Sequence, residues 1–354
     1  MSAKITGIGS YLPTLRMANK DFIAHRFYKD IDQPFEETNE IIIEKFKEIT
    51  GIEERRYAQK EQTNSDLGII AAQRAIEASG IDPEILDYII FAHNFGDVRF
   101  SSNHLDMLPT LASRVKHALG IANPNCVAYD MLFGCPGWIE ALIQANLYIK
   151  AGAAKHCLVI GAETLSRVVD PHDRDSMIFA DGAGACVLSA SSSHDPSGIL
   201  SHATQTFTKD EAYFLNNGPS LNSKHHIHEK YIKMQGRKIY EFALSKVPVA
   251  MKIALDKSGK GITDIKKIFI HQANQKMDEA ILGRFYKLFK AEPPEYIMPM
   301  NIQFYGNSSV ATVPTLLDAV VRGEYAEHQL KSGDVIILAS VGAGMNINAV
   351  VYQW

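Results

Sequence analysis

The chain has 354 residues, a net charge of −4, 46% hydrophobic and 21% charged residues, which is ordinary for a globular protein with a large core. No global basic field exists to hold nucleic acid or an anionic membrane, so an acidic partner needs a local patch. No apolar run approaches the roughly 20 residues that span a bilayer, and no basic-then-apolar leader opens the chain. The four cysteines, Cys126, Cys135, Cys157 and Cys186, form no CxxC pair, which argues against zinc and for free thiols in a reducing, cytoplasmic setting.

In chain order, the opening MSAKITGIGSYLP reads as a strand and turn. A polar helix is expected over 38–49 and a capped helix over 63–80, stopped by Gly80. A short apolar strand follows near 87–93, then a helix around 109–119. CVAYDM (126–131) reads as a strand, 136–152 as a long helix, 156–165 as a strand, and 179–191 as a Gly/Ala-rich turn into an apolar strand. Segment 192–230 is polar, His-rich and weakly patterned, and reads as a connecting loop. The second half repeats the theme: a helix near 237–257, a strand and turn over 265–274, a helix at 275–290, a loop opening into a helix over 305–323, and two apolar strands over 334–354. This alternation predicts an α/β architecture with buried strands, and a division into 1–191, 192–230 and 231–354.

Three residues stand at equivalent strand-to-helix junctions, where α/β folds place their sites. Cys135 lies in LFGCPGW just before a long helix, where the dipole and unpaired N–H groups favour a thiolate. Taken alone it is open between a buried core cysteine and a nucleophile. Cys126, Cys157 and Cys186 sit in apolar strands and read as core. His271 ends the strand IKKIFI, and Asn307 lies in YGNSS, by itself a turn or cap residue. GIGSYLP and DGAGA do not complete a dinucleotide fingerprint, and SGKG lacks the Walker spacing. His225, His226 and His228 could bind a metal but read as a solvated tip, and no metal or cofactor is expected.

At these residues the chain resembles beta-ketoacyl-acyl-carrier-protein synthase III and its condensing relatives. The likeness rests on ITGIGSYLP, TGIEERR, AYDMLFGCPGWIEALIQANLYIKAG, DPHDRDSMIFADGAGACVL, HQAN, GNSS and the closing GAG. It implies a duplicated thiolase fold, layered αβαβα, working as a homodimer. It also implies ping-pong chemistry: Cys135 takes an acyl group from an acyl-CoA or acyl-carrier-protein donor, and a malonyl-type thioester on acyl-carrier protein then decarboxylates and attacks it. His271 Nε2–H and the Asn307 amide would stabilise the malonyl thioester oxygen, and the backbone N–H groups of Cys135 and of a residue in the turn Gly342–Gly344, foremost Gly344, the acyl oxyanion. Asn274 would support the His loop. Leu108 matches the family's loop residue that crosses the dimer interface. Leu108, Phe133, Trp138 and Arg167 are expected around the substrate, with Arg167 near the CoA adenine.

The likeness also departs from the family. Lys45 and Ile49 replace the Trp and Arg that clamp the CoA adenine, and the region NFGDVRFSSNHLDMLPT is longer than the family's. These departures suit a carrier-protein donor or a larger acyl group. They keep open a specialised enzyme of the dialkylresorcinol or quinolone type, a ketosynthase-like acyltransferase, and a non-catalytic subunit, against which retention of Cys135 and His271 argues. Lys276, with Arg237 and Lys238, is expected to dock the carrier protein, and a solvated helix face stays equally open for the last two.

Overall fold

The computed structural model describes residues 2–102, 104–192, 195–226 and 228–354. Asn103, within the long insertion, lies outside the described residues, as do residues 193, 194 and 227 of the expected connecting loop. The N-terminal half contributes strands β1 (Ser2–Tyr11), β2 (Tyr88–Ala92), β3 (Val127–Met131), β4 (His156–Thr164) and β5 (Asp181–Ser191). Its helices are α1 (Asn39–Thr50), α2 (Asn64–Ser79), α3 (Leu111–Ala118) and α4 (Gly137–Lys150). Helix α2 shows why such boundaries are readable: Thr63 and Asp66 close a capping box at its start, and Gly80 ends it with φ +68°.

The C-terminal half contributes β6 (Gly198–Thr206), α5 (Gly236–Ser258), β7 (Ile265–Ile270), α6 (Gln275–Lys287), α7 (Thr312–Val321), β8 (Val335–Gly342) and β9 (Asn346–Gln353). The first sheet runs β1-β5-β4-β2-β3 and the second β6-β9-β8-β7. Read from the β1 and β6 edges, both step antiparallel, antiparallel, then parallel. The internal repeat is therefore one of pairing as well as of element order. Strand β3, which leads to Cys135, extends the first sheet by one more parallel strand.

Alternation along the strands builds the layers. In β4, Cys157 and Val159 share a cluster with α4 and α7, while Leu158 and Ile160 face α2 and α3. In β8, Ile336 and Leu338 join the same central cluster, while Ile337, Ala339 and Val341 face α5 and α6. Helices α4 and α7 are thus sandwiched between two sheets, which explains why they are apolar nearly all round. The result is a five-layer αβαβα stack.

The segment expected to be a polar connection differs. Within 192–230, GILSHATQT is β6, paired antiparallel with β9, and Leu215–Gly218 pairs with Tyr231–Met234. Its polar residues His202, Thr204, Gln205 and Thr206 hid its period. His225 packs edge-on against His172 at 4.8 Å and His226 at 4.3 Å. Among the described residues no three His, Cys, Asp or Glu side chains come together as a metal site.

Candidate active site

The parallel strands deliver their C-terminal ends to one place. Strand β3 leads to Cys135, β7 to His271, β2 to Asn94 and β4 to Glu163. The loop 306–311, which precedes α7, brings Asn307 and Ser309, and the helix itself begins at Thr312. Gly306 has φ +63°, and a Cβ there would meet the Arg55 Cβ at 2.8 Å, so this tight turn requires glycine.

Cys135 precedes α4, whose N-cap is Pro136. Its backbone lies flat against the turn after β8: a Cβ on Gly342 would fall 2.5 Å from the Cys135 nitrogen, and one on Gly134 would fall 2.8 Å from the Ala343 nitrogen. Ala343 lines the Cys135 cavity, whereas Gly344 turns towards Asn346 and does not. The turn residue that lines the cavity beside the thiol is Ala343 and not Gly344. The Ser309 hydroxyl donates to Cys135 Sγ at 3.3 Å. Burial pushes the thiol up to about 11, against the lowering effect of the Ser309 hydroxyl, and the Glu163 carboxylate adds to the rise. The expected thiolate bias of a helix start is thus outweighed by desolvation of the thiol.

His271 and Asn307 are buried and tied to the same loop. His271 Nδ1 lies 2.6 Å from Thr312 Oγ1, and the same Oγ1 lies 3.0 Å from Ser309 O. Thr312 has one hydroxyl proton. Given to Nδ1, it leaves Nε2 protonated and able to donate; given to Ser309 O, it leaves Nε2 a bare acceptor. Burial alone pulls His271 down to about 3, so the ring is neutral at physiological pH. Asn307 Oδ1 accepts from Ser309 N at 2.8 Å, which leaves Nδ2 as the end that can donate to a substrate. The Asn307 backbone is clamped by Ile178 O and Ala180 N, both at 2.9 Å. Ser309 is the shared member of this network: hydroxyl to Cys135, N–H to Asn307, carbonyl to Thr312.

The cavity at Cys135 measures about 220 Å³ and is walled by Phe95, Leu165, Phe179, Leu215 and Ile232, with Asn94, Asn216, Asn217, Ser309 and Ala343 supplying polar atoms. Four residues expected around the substrate do not line this cavity. Trp138 is wholly buried in the layer between the sheets, over Gly161, because α4 turns it away from the cavity. Phe133 is half-buried and outside the cavity wall. Arg167 donates to the carbonyls of Ala58 and Gln59 and stacks on Phe100 at 4.8 Å, so its guanidinium is committed to loop structure. Leu108 is 88% exposed in the single chain.

Comparison with known proteins fits this geometry. The model for 3-oxoacyl-(acyl-carrier-protein) synthase III matches residues 129–207, and that for its C-terminal part matches 255–354. A beta-ketoacyl-acyl-carrier-protein synthase III of Neisseria meningitidis serogroup B is 34% identical over 353 residues, covering 99% of each chain. The chain belongs to the beta-ketoacyl-acyl-carrier-protein synthase III family. Among solved structures, the 3-oxoacyl-(acyl-carrier-protein) synthase III of Aquifex aeolicus is 32% identical with a TM-score of 0.78, covering 99% of this chain and 100% of that one. The priming beta-ketosynthase of the R1128 polyketide pathway is 25% identical with a TM-score of 0.80, covering 99% and 96%. The protein is a synthase III-type condensing acyltransferase of fatty-acid or polyketide priming.

In this synthase a second cavity, about 330 Å³, lies on the other side of the chain that clamps Asn307: Phe179 walls the first cavity and Ile178 the second. Ile49, Arg174, Arg237, Tyr240 and Asn274 also line it. The arginine beside Ile49 is therefore Arg174, seven residues after Arg167. Lys45 lies outside this wall and pairs with Glu37 at 3.1 Å. Asn274 caps α6, accepting from Met277 N, and Lys276 is exposed in the first turn. Arg237 is exposed but paired with Glu241 at 3.0 Å, and Lys238 sits over Phe214 at 5.2 Å. The residues that sequence reasoning passed over are Ser309, Thr312, Asn94, Glu163, Ala343 and Arg174. Ser309, Ala343 and Arg174 stood in the GNSS, GAG and DPHDRD motifs already singled out; Thr312, Asn94 and Glu163 carry no local signal.

Proposed function

We propose that Cys135 carries the acyl group and that His271 and Asn307 stabilise the enolate formed from a malonyl-type thioester on acyl-carrier protein. In the first half-reaction Cys135 Sγ bonds to the donor's acyl carbon, the donor's C–S bond breaks, and the thiol proton leaves with the released thiol. The N–H groups of Cys135 and Ala343 would meet the tetrahedral oxyanion. In the second, the malonyl C–C bond breaks, CO2 leaves, and the electron pair passes to the thioester as an enolate. Its carbon attacks the acyl carbonyl, and Cys135 departs as thiolate. The observation that carries this reading is the Ser309 hub, which ties the thiol, the Asn307 amide and, through Thr312, the His271 ring into one network.

The small apolar cavity suits a short acyl chain, since its volume falls below the range typical of drug-sized ligands. The second cavity, with Arg174 and Arg237 at its rim, suits the phosphopantetheine side of either donor, and exposed Lys276 next to Asn274 suits docking of an acidic carrier. Homodimer formation is supported by exposed apolar residues: Val127 and Leu132 at the free edge strand β3, and Leu105, Met107 and Leu108 in the loop before α3. No helix among the described residues is long and apolar enough to cross a membrane, and all four cysteines are free, in keeping with a cytoplasmic setting.

Intact-mass analysis after incubation with acyl-CoA and acyl-carrier-protein donors tests the assignment. Wild type and His271→Ala should gain the acyl mass and Cys135→Ala should not, while His271→Ala should fail to condense with malonyl-carrier protein. An adduct on Cys135→Ala, or normal condensation by His271→Ala, overturns the respective role.

A further inference from the structure

Glu163 is a wholly buried carboxyl group at the end of β4 that the condensing chemistry does not use. Its Oε1 accepts from Asn94 Nδ2 at 2.5 Å. The same Asn94 nitrogen donates to Ser309 Oγ at 3.2 Å. With that lone pair engaged, the Ser309 hydroxyl proton is directed onto Cys135 Sγ, 3.3 Å away. A donor chain therefore runs from Asn94 through Ser309 to the nucleophile, and Glu163 anchors its first member. Glu163 Oε2 has no partner and is buried.

The geometry points to Asn94 and Glu163 as a positioning pair for the nucleophile, in which the acid form of Glu163 permits the Cys135 thiolate and the ionised form opposes it. Two negative charges in one desolvated pocket disfavour each other. The charged and titratable groups around Glu163 are few. On β5, Asp181 raises its pKa further, although the Asp181 carboxylate is itself held by Ser166 and the Ala58 N–H. Beside Asn94, His93 is engaged with Asp130 at 3.0 Å. On the loop before α7 the network leads only to neutral His271. Burial pushes Glu163 up to about 8, so its charge changes within the working range of an enzyme. Cys135 in turn feels that charge as a rise in its own pKa.

The pair acts through Ser309 and is not itself in contact with the reacting carbon, so its signature is the pH dependence of the thiol. This inference rests on Cys135 being the nucleophile. Its test reads the thiol directly, by the rate of iodoacetamide addition to Cys135 followed by intact mass across pH, and so can fail while acyl-adduct formation still succeeds. Glu163→Gln keeps the hydrogen bond and removes the charge; its alkylation profile should move about 1 unit to lower pH. Asn94→Ala keeps the carboxyl and breaks the donor chain; its profile should move to higher pH. A Glu163→Gln profile that superimposes on wild type overturns the electrostatic role. An unmoved Asn94→Ala profile overturns the donor chain. Should Glu163→Gln fail to fold by circular dichroism, Glu163→Leu, which also removes the charge, takes its place in the same assay, and an unmoved profile again overturns the electrostatic role. Asn94→Ala, on the cavity wall rather than in the core, still reads the donor chain.

Discussion

Ser309 Oγ stands 3.3 Å from Cys135 Sγ, and the same residue's N–H is held by Asn307 Oδ1 at 2.8 Å. Half of the site thus hangs on a serine whose backbone orients one functional group and whose side chain solvates another. Removing only the hydroxyl separates these tasks. A hydrogen bond to a charged group contributes about 1.5–3 kcal/mol, so Ser309→Ala should slow acylation of Cys135 by roughly tenfold to a hundredfold. The Asn307 contact, made by the Ser309 backbone, should survive, so malonyl decarboxylation by a pre-acylated enzyme should change little. Rapid-quench measurement of the two half-reactions checks this; equal loss in both would mean that the hydroxyl serves the whole loop.

Thr312 decides which nitrogen of His271 carries the proton. Valine is close to threonine in shape but offers Nδ1 no proton and no acceptor. Thr312→Val should therefore release the tautomer, and loss of one oxyanion donor costs on the order of 10²–10³ in rate. Malonyl decarboxylation should fall by about that factor while acylation of Cys135 is retained. ¹⁵N NMR of labelled His271 gives an independent reading: Nε2–H in wild type, mixed tautomers in the variant. A wild-type ring protonated at Nδ1 would make His271 an acceptor rather than a donor.

Most of the fold was legible because its signals are local. The Thr63–Asp66 box, Gly80, the apolar strand at Ile265–Ile270 and the uninterrupted apolar helix after Cys135 each announce an element through neighbours in sequence. Strand β6 was missed because its partner is Asn346–Gln353, some 150 residues away, and its outward residues are polar. The site followed the same rule. Cys135, His271 and Asn307 sit in motifs, but what orients them is tertiary: the Ala343 turn against Gly134, Thr312 on His271, Asn94 on Ser309. Trp138 was misread for a related reason. Its place three residues after Cys135 suggests the pocket, yet α4 rotates it into the core above Gly161, where no Cβ blocks the ring.

The neutral state of His271 has a consequence for acid stability. Its folded pKa, near 3, lies below the ordinary value of 6.5. Between those values the unfolded chain binds the proton and the folded one does not. Stability from this group is therefore present in full above pH 6.5 and is lost as pH falls towards 3, at up to about 1.4 kcal/mol per pH unit. His271→Gln should flatten the pH dependence of urea midpoints in that window relative to wild type. Parallel curves would show that the ring is not held neutral.

Leu108 is the most exposed large apolar residue among the described residues, at 88%, and lies near Leu105 and Met107 in sequence. In an isolated chain such a leucine gains nothing from its position, since a hydrophobic side chain is favoured by the area it removes from water. In a dimer whose partner receives it, the same residue would both contribute to association and bound the partner's acyl cavity. The two roles predict a joint effect. Leu108→Arg should weaken self-association by tenfold or more in sedimentation equilibrium, about 1.4 kcal/mol or above, as for a central interface residue. Leu108→Ala, milder at the interface, should leave a dimer whose acyl-donor preference shifts to longer chains, read by competition between donors of different length on intact protein. A Leu108→Ala enzyme with unaltered preference would separate Leu108 from the cavity and leave it an interface residue alone.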